Sequence, residues 1–132
     1  MYWYYPTGCD IRNNNIKMEG GSYGFYMYQT PAIMDYNNMD LSGSTYCYFG
    51  TTTHTSFNAL KSATAYSSFN QNSMDVDPAF EVPRVDLRSS SPSLNNAGIL
   101  LKNSFVKTDF DGIARPNTAD APKVDIGCND FY

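Results

Sequence analysis

Two segments of the chain repeat one another at a fixed spacing. Residues 14–20 read NNIKMEG and residues 37–43 read NNMDLSG, an offset of 37 − 14 = 23 residues. The same offset pairs further residues: Ile11 with Met34, Tyr23 with Tyr46, and Phe25 with Tyr48. A repeat of this length is one small structural unit, and such a unit buries its apolar face only against a stacked neighbour.

A period of 23 residues suits one turn of a parallel β-helix, which holds three short strands and their bends. Successive turns stack at the strand spacing of about 4.8 Å. Residues 16–18 and 39–41 alternate apolar with charged side chains, so the apolar ones are expected to point inward. We therefore predict a parallel register: Ile16 against Met39, Met18 against Leu41, and Lys17 outward beside Asp40.

Asparagines occupy the expected bends of both repeats. Asparagine tolerates a left-handed backbone, and its amide bonds to an asparagine in the turn above or below. We expect Asn14 or Asn15 to lie beside Asn37 or Asn38.

The composition favours strands and an extracellular or cell-surface setting. The chain has 11 Tyr, 8 Phe and 1 Trp, and long helix-forming runs are missing. Only 17% of its 132 residues are charged, against about 25% in ordinary soluble domains. The net charge is −4 without a basic run, so the footprint of a nucleic-acid-binding protein is absent. No apolar stretch reaches the roughly 20 residues of a membrane-spanning helix.

Cysteine and histidine usage argues against a zinc site. Cys9, Cys47 and Cys128 form no Cys-x-x-Cys pair, and His54 is the only histidine. Three cysteines allow at most one internal disulfide, whose pairing stays open, and buried or free thiols are the simpler reading. His54 stands in the polar stretch 53–55, which predicts a loop histidine without a role.

The second half of the chain carries an ordered series of short motifs. They read DYN at 35–37, DPAF at 77–80, DLR at 86–88, SPSLNNAG at 91–98, DFDGIARP at 109–116 and DIG at 125–127. Over residues 35–132 this series resembles the C-terminal region of bacterial secreted right-handed parallel β-helix proteins of the pectin-lyase-like type, as found in Bacteroidetes. Two departures are small: residues 93–95 replace the usual Ala-Ile, and residues 128–130 replace Ala-x-Glu.

The repeat and the resemblance imply one all-β domain over residues 1–132, the C-terminal fragment of a right-handed parallel β-helix. Residues 1–50 would form regular rungs, and residues 51–132 irregular rungs and a capping tail with one short helix near residues 56–61. Ser91-Pro92 would precede a strand at Leu94. The tail would cover the open strand edges of the last rung, with Arg115 available to a nearby carboxylate.

The resemblance leaves two main functional readings and a third class. Related enzymes cleave polysaccharides with paired carboxylates, or with a basic residue beside bound Ca²⁺. The strings NTD, DD, GHG and RIK of such sites are absent, and the lysines are scattered: Lys17, Lys61, Lys102 and Lys107. The first reading is a non-catalytic extracellular scaffold, adhesin or glycan-contacting module. The alternative is the C-terminal part of a polysaccharide lyase or glycoside hydrolase whose active site lies upstream. A trimeric phage-type tail fibre is the third class.

Four aspartates are weak candidates for a calcium site. Asp75 and Asp77, and Asp109 and Asp111, form Asp-x-Asp pairs. Gly112 follows too soon for a complete calcium loop, so turn capping is the competing interpretation. No other cofactor is expected.

Aromatic residues are the candidate glycan contacts. A predicted sugar-stacking platform comprises Trp3, Tyr4, Tyr5, Tyr26, Tyr28, Tyr46, Tyr48 and Phe49. Within it, the candidate glycan contacts are Trp3, Tyr4, Tyr26 and Tyr28. Aromatic residues also fill β-helix interiors and stack along them, which is the competing interpretation.

The N-terminal end predicts a covered surface. Residues 1–5 read MYWYY, and they lack the basic and apolar regions of a signal peptide. A first rung leaves a strand edge and a core end open. We therefore expect an upstream β-helix region, a partner chain or end-to-end stacking against residues 1–30, besides a polysaccharide ligand.

Overall fold

Short strands dominate the structure. The computed structural model describes residues 1–83, 85–101, 107–115 and 124–128. Several residues of the sequence motifs, namely Lys102, Pro116 and residues 129–130, lie outside these ranges. The described residues form mostly strands with one short α-helix, which confirms the predicted all-β class.

The strands follow one another through the first 89 residues. Their bounds are β1 Tyr2–Trp3, β2 Asp10–Arg12, β3 Asn15–Glu19, β4 Tyr23–Met27, β5 Ile33–Asp35, β6 Asn38–Ser42, β7 Thr45–Phe49, β8 Thr52–His54, β9 Phe80–Val82 and β10 Asp86–Ser89. Helix α1 spans Phe57–Lys61, and one-turn 3₁₀ helices span Thr64–Tyr66 and Pro92–Leu94.

Strands of successive repeats pair in parallel in three separate sheets. Strand β2 pairs with β5, β3 pairs with β6, and β4 lies between β1 and β7. Strand β8 extends the last of these sheets as an antiparallel neighbour of β7. Strands β9 and β10 form a separate antiparallel pair.

The predicted register of the first repeat is confirmed. Ile16 pairs with Met39, Met18 with Leu41, and Ile11 with Met34. Lys17 pairs with Asp40, and its Nζ lies 3.3 Å from a carboxylate oxygen of that residue. A partly exposed ion pair of this kind contributes little to stability, so the apolar row is the main determinant of the register.

The predicted register of the aromatic strands is wrong by one residue. Tyr23 pairs with Thr45 instead of Tyr46, and Phe25 pairs with Cys47 instead of Tyr48, an offset of 47 − 25 = 22. The turn before β4 contains Gly-Gly-Ser at residues 20–22, whereas the turn before β7 contains only Gly-Ser at residues 43–44. The shorter turn removes one residue from the second repeat and shifts every later pair.

An asparagine ladder connects the two repeats, as predicted. The Asn14 amide donates to Oδ1 of Asn37 at 3.0 Å, and the Asn38 amide donates to Oδ1 of Asn15 at 2.9 Å. Asn37 and Asn38 are fully buried. Buried amides are retained where every polar atom has a partner, which the ladder and the adjacent backbone supply here.

Residues 70–76 cover the free edges of β5 and β6. The Asn70 N–H donates to the Met34 carbonyl at 2.7 Å, and the Met39 N–H donates to the Met74 carbonyl at 2.9 Å. Asn38 and Met74 form a parallel bridge. This segment protects strand edges that would otherwise pair with other chains, which is the role expected of the tail.

The tail also returns to the first repeat. The side chain of Asn13 exchanges two hydrogen bonds with the Ile99 backbone, at 2.7 and 2.9 Å. The Gly127 N–H donates to the Asn13 carbonyl at 3.1 Å, and Arg115 donates to the Gly127 carbonyl at 2.9 Å. The predicted strand at Leu94 is wrong: this residue ends a 3₁₀ turn opened by Pro92, although it is fully buried.

The core lies between the parallel sheets and helix α1. Its buried members include Met27, Met34, Met39, Phe49 and Leu60. The predicted short helix is confirmed, and Ser56 caps it by accepting a hydrogen bond from the Ala59 N–H at 3.1 Å. The helix buries Phe57 and Leu60, which are three residues apart and therefore share a face.

Candidate functional site

A group of tyrosines linked by ring contacts lies along the β1–β4–β7 sheet. This tyrosine cluster consists of Tyr2, Tyr4, Tyr5, Tyr23, Tyr26, Tyr28 and Tyr48. Its members are exposed or half-buried. In β4, Tyr26 points away from the core, whereas its neighbours Phe25 and Met27 point into it. The cluster therefore exposes aromatic rings and phenol hydroxyls to solvent on one side of the sheet.

Three of these rings form a ladder across the sheet. The ring centroids of Tyr2 and Tyr26 are 4.4 Å apart with an interplanar angle of 2°, and those of Tyr26 and Tyr48 are 4.5 Å apart at 6°. These distances follow the spacing of paired strands, since Tyr26 pairs with both other residues. Both faces of the Tyr26 ring are thus covered, whereas Tyr2, at the end of the ladder, is 65% exposed.

A second stack lies beside the ladder. The rings of Tyr4 and Tyr28 are 5.2 Å apart at 14°. Tyr5 packs edge-on against both of them, with centroid distances of 4.9 and 6.2 Å. Each such ring pair contributes about 0.5–1.5 kcal/mol in addition to the effect of the buried area. These contacts therefore help to fix the positions of the rings in the cluster.

The packing of the phenols changes their acidity. Burial raises the pKa of Tyr26 above its ordinary value, and the neighbouring phenols of Tyr2 and Tyr48 and a hydrogen bond with Tyr2 raise it further. The Tyr26 hydroxyl is therefore neutral in the physiological range and acts as a hydrogen-bond donor and acceptor.

The structure brings together three of the four predicted glycan contacts. Tyr4, Tyr26 and Tyr28 belong to the tyrosine cluster, whereas Trp3 points to the other side of β1 and packs against the core. Tyr2 and Tyr23 were missing from the predicted platform, and two residues that it included, Tyr46 and Phe49, are buried in the core instead. The strand alternation of residues 2–4 is the signal that finds Tyr2, because it separates Tyr2 and Tyr4 from Trp3.

Trp3 lines a cleft at the open end of the first repeat. The cleft has a volume of about 330 Å³, and its walls include residues 13–16, Phe80, Leu87 and Gly127. The described part of the tail thus approaches the first repeat and leaves this cleft between them. Whether an upstream region or a partner chain covers this end stays a prediction.

The first pair of candidate calcium ligands, Asp75 and Asp77, interacts with other groups of the protein. Asp77 accepts hydrogen bonds from Lys17 at 2.8 Å and from the Ala79 N–H at 3.0 Å, and the bond from Lys17 lowers its pKa. Partial burial raises the pKa of Asp75, and the nearby carboxylate of Asp40 adds to this effect. A shared calcium site would instead need several carboxylates that converge on one point.

The second pair of candidate ligands also follows a turn geometry. Oδ1 of Asp109 accepts from the Ile113 N–H at 2.8 Å, and Gly112 adopts a left-handed backbone with φ of 83°. Asp111 is exposed. Among the residues that the structure describes, no group of three or more His, Cys, Asp or Glu side chains converges for a metal.

His54 occupies a buried strand position, which corrects the predicted loop histidine. It pairs with Cys47 across the β7–β8 ladder, and its ring lies 5.7 Å from that of Tyr66. Its Nε2 has no hydrogen-bond partner in the described part of the chain. Burial lowers the pKa of His54, and a hydrogen bond with the Ala59 backbone opposes this effect only in part.

We expect the free energy of unfolding to decrease as the pH is lowered below 6.5, the ordinary pKa of the imidazole. Below this value the imidazole is protonated in the unfolded chain. In the folded chain it stays neutral until the pH reaches the lowered pKa of His54, so acid favours the unfolded state. One such group changes the free energy of unfolding by at most about 1.4 kcal/mol per pH unit. Urea unfolding at several pH values between about 5 and 7.5, on both sides of the ordinary imidazole pKa, measures how the free energy of unfolding changes with pH.

The matched control for this slope is His54→Gln. Since His54 is the only histidine, the variant is expected to show a flat profile in the same interval, whatever its stability at neutral pH. An equal slope in both proteins would contradict the assignment to His54.

The three cysteines are held as thiols in the described parts of the chain. Cys9 and Cys128 are exposed and Cys47 is buried. Burial raises the pKa of the Cys47 thiol to about 12, so it is protonated and acts as a small core residue.

Comparison of the chain with family models, with curated proteins and with solved structures finds no match. No helix in the described ranges is long and apolar enough to span a membrane.

Proposed function

We propose that the chain forms the terminal part of a right-handed parallel β-helix. The support is the pairing of each strand with its counterpart in the next repeat, in three separate parallel sheets. The asparagine ladder at the bend adds a second row of contacts with the same period. Both features are expected when a repeating unit stacks on itself along one axis.

We further propose that this β-helix is a non-catalytic extracellular module that contacts glycans through the tyrosine cluster. The exposed cluster is the observation that supports this function. Aromatic rings pack against the apolar faces of sugars, while phenol hydroxyls donate to and accept from sugar hydroxyls. The charge-poor composition is in keeping with placement outside the cell or on its surface.

The geometry assigns different roles to the members of the cluster. The stacked neighbours of Tyr26 cover its ring faces, so this residue offers its edge and hydroxyl. Tyr2 and Tyr5 are 65% and 64% exposed and offer open ring surface. A chain of sugars would lie along the cluster, with its ring contacts at the exposed tyrosines and its hydroxyl contacts along the ladder.

We expect glycan binding to weaken when exposed rings are removed. Loss of one stacking ring is expected to reduce affinity roughly two- to tenfold. Calorimetric titration with a panel of pectins, alginates and neutral polysaccharides would compare the wild type with Tyr5→Ala. The matched control is Phe110→Ala, which removes an aromatic ring that is 82% exposed and outside the cluster.

Equal affinities of the wild type and Tyr5→Ala for every glycan, or equal losses in Phe110→Ala, would contradict this site. An activity assay on the same panel, with Ca²⁺ present, separates the module from its alternative, the C-terminal part of a lyase or hydrolase. We expect no turnover, because glycoside hydrolysis needs two carboxylates on one cleft, roughly 5–9.5 Å apart. Turnover that a single Asp replacement abolishes would overturn the non-catalytic proposal.

A further inference from the structure

The geometry points to Tyr2 and Tyr26 as a site of oxidative tyrosine cross-linking. Their rings are 4.4 Å apart and parallel to within 2°, the tightest ring contact of the tyrosine cluster. Parallel strand pairing places Tyr2 directly beside Tyr26, so the two rings are held in contact before any reaction. Preorganised contact of two reacting groups replaces a slow encounter with a rapid step within one molecule.

Exposure selects this pair over its neighbour in the ladder. Tyr2 is 65% exposed and lies at the open end of the stack, where an oxidant reaches its ring. The rings of Tyr26 and Tyr48 are nearly as close, at 4.5 Å, but both residues are only partly exposed. Within the ladder, the first radical therefore forms at Tyr2, and its nearest partner is Tyr26.

The oxidant is hydrogen peroxide used by a haem peroxidase. Each phenol loses one electron and one proton to give a phenoxyl radical, and the two radicals join through the carbons next to their hydroxyls. The hydrogen on each joined carbon then moves to its oxygen, which restores both aromatic rings. The sum is two phenols and one peroxide giving one dityrosine and two waters.

Such a cross-link would attach β1 to β4. Strand β1 has only two residues, and among the described residues it pairs with β4 alone. A covalent bond between Tyr2 and Tyr26 would close a loop of the chain and restrict the unfolded state, as a disulfide does. The first strand would then stay paired under conditions that otherwise separate edge strands.

Peptide mapping after peroxidase treatment tests the assignment. Cleavage after Arg12, Lys17 and Lys61 places Tyr2 in peptide 1–12 and both Tyr26 and Tyr48 in peptide 18–61. The treated monomer is first isolated under denaturing conditions. We then expect a cross-linked product of peptides 1–12 and 18–61 whose mass is the sum of the two peptides minus two hydrogen atoms. Addition of oxygen at methionine changes the mass differently and does not join peptides.

Conservative variants identify the residues involved. Tyr2→Phe and Tyr26→Phe keep the stacked ring and lose only the hydroxyl, and each is expected to abolish the joined peptide. The matched control is Tyr4→Phe, since Tyr4 and Tyr28 would join the same two peptides. The proposal is overturned if the joined peptide survives in Tyr2→Phe, disappears in Tyr4→Phe, or forms only in cross-linked dimers, or if dityrosine fluorescence does not develop.

Discussion

Replacing Asn38 with alanine is expected to lower the free energy of unfolding by about 3 kcal/mol. The buried amide donates to Asn15 and to the Val76 carbonyl, both at 2.9 Å, and its oxygen accepts from the Val76 N–H at 3.0 Å. Alanine leaves these partners without a bond, and each unpaired buried group costs roughly 1–3 kcal/mol. The midpoint of urea unfolding measures the loss, provided that the slope of the transition is unchanged.

The matched control is Asn14→Ala in the same ladder. Asn14 is exposed, so water replaces the hydrogen bonds of its amide to Asn37 and to the Arg12 carbonyl. We expect this variant to lose about 1 kcal/mol or less. Similar losses in both variants would mean that burial does not determine the contribution of the ladder.

Gly24→Ala is expected to destabilise the protein by about 3 kcal/mol, near the upper end of overpacking penalties. An added Cβ would lie 2.6 Å from the Tyr46 carbonyl oxygen and 2.7 Å from the Leu41 Cβ. A backbone atom and a Cβ cannot move aside without moving their strands. The thermal unfolding midpoint measures the loss, and a decrease of several degrees is the expected result.

Gly8→Ala serves as the control for Gly24→Ala. A Cβ at Gly8 meets no atom within 4 Å, but the left-handed φ of 85° disfavours alanine. Backbone strain alone is expected to cost about 1–2 kcal/mol. If Gly24→Ala were as stable as the wild type, the close approach of β4 to β6 and β7 would be contradicted.

The pairing of β3 with β6 was predictable because both copies of this segment have the same length. Apolar, charged and asparagine positions coincide at one offset, and any other register would expose the apolar row. The aromatic strands were not predictable from that offset. The turn of the second repeat is one residue shorter, and a similarity between Tyr23 and Tyr46 conceals the deletion.

Side-chain placement outside the repeat was less accessible from the sequence. His54 lies in a polar stretch and is nevertheless buried, because β8 turns back onto β7 and helix α1 packs beside it. Burial of this kind depends on contacts that local polarity does not encode. The tyrosine cluster was predicted in part, since strand alternation in β1 separates Trp3 from Tyr2 and Tyr4.

The contact between Asn13 and Ile99 has a consequence for the order of folding. These residues are 86 positions apart in the chain, so the first repeat completes its contacts only after most of the chain is synthesised. Loops of this length close slowly, and nonlocal pairings of this kind lower folding rates. During synthesis, the newly made first repeat therefore exposes Asn13 and its apolar neighbours until the tail arrives. In that interval the growing chain is most prone to aggregate or to engage a chaperone.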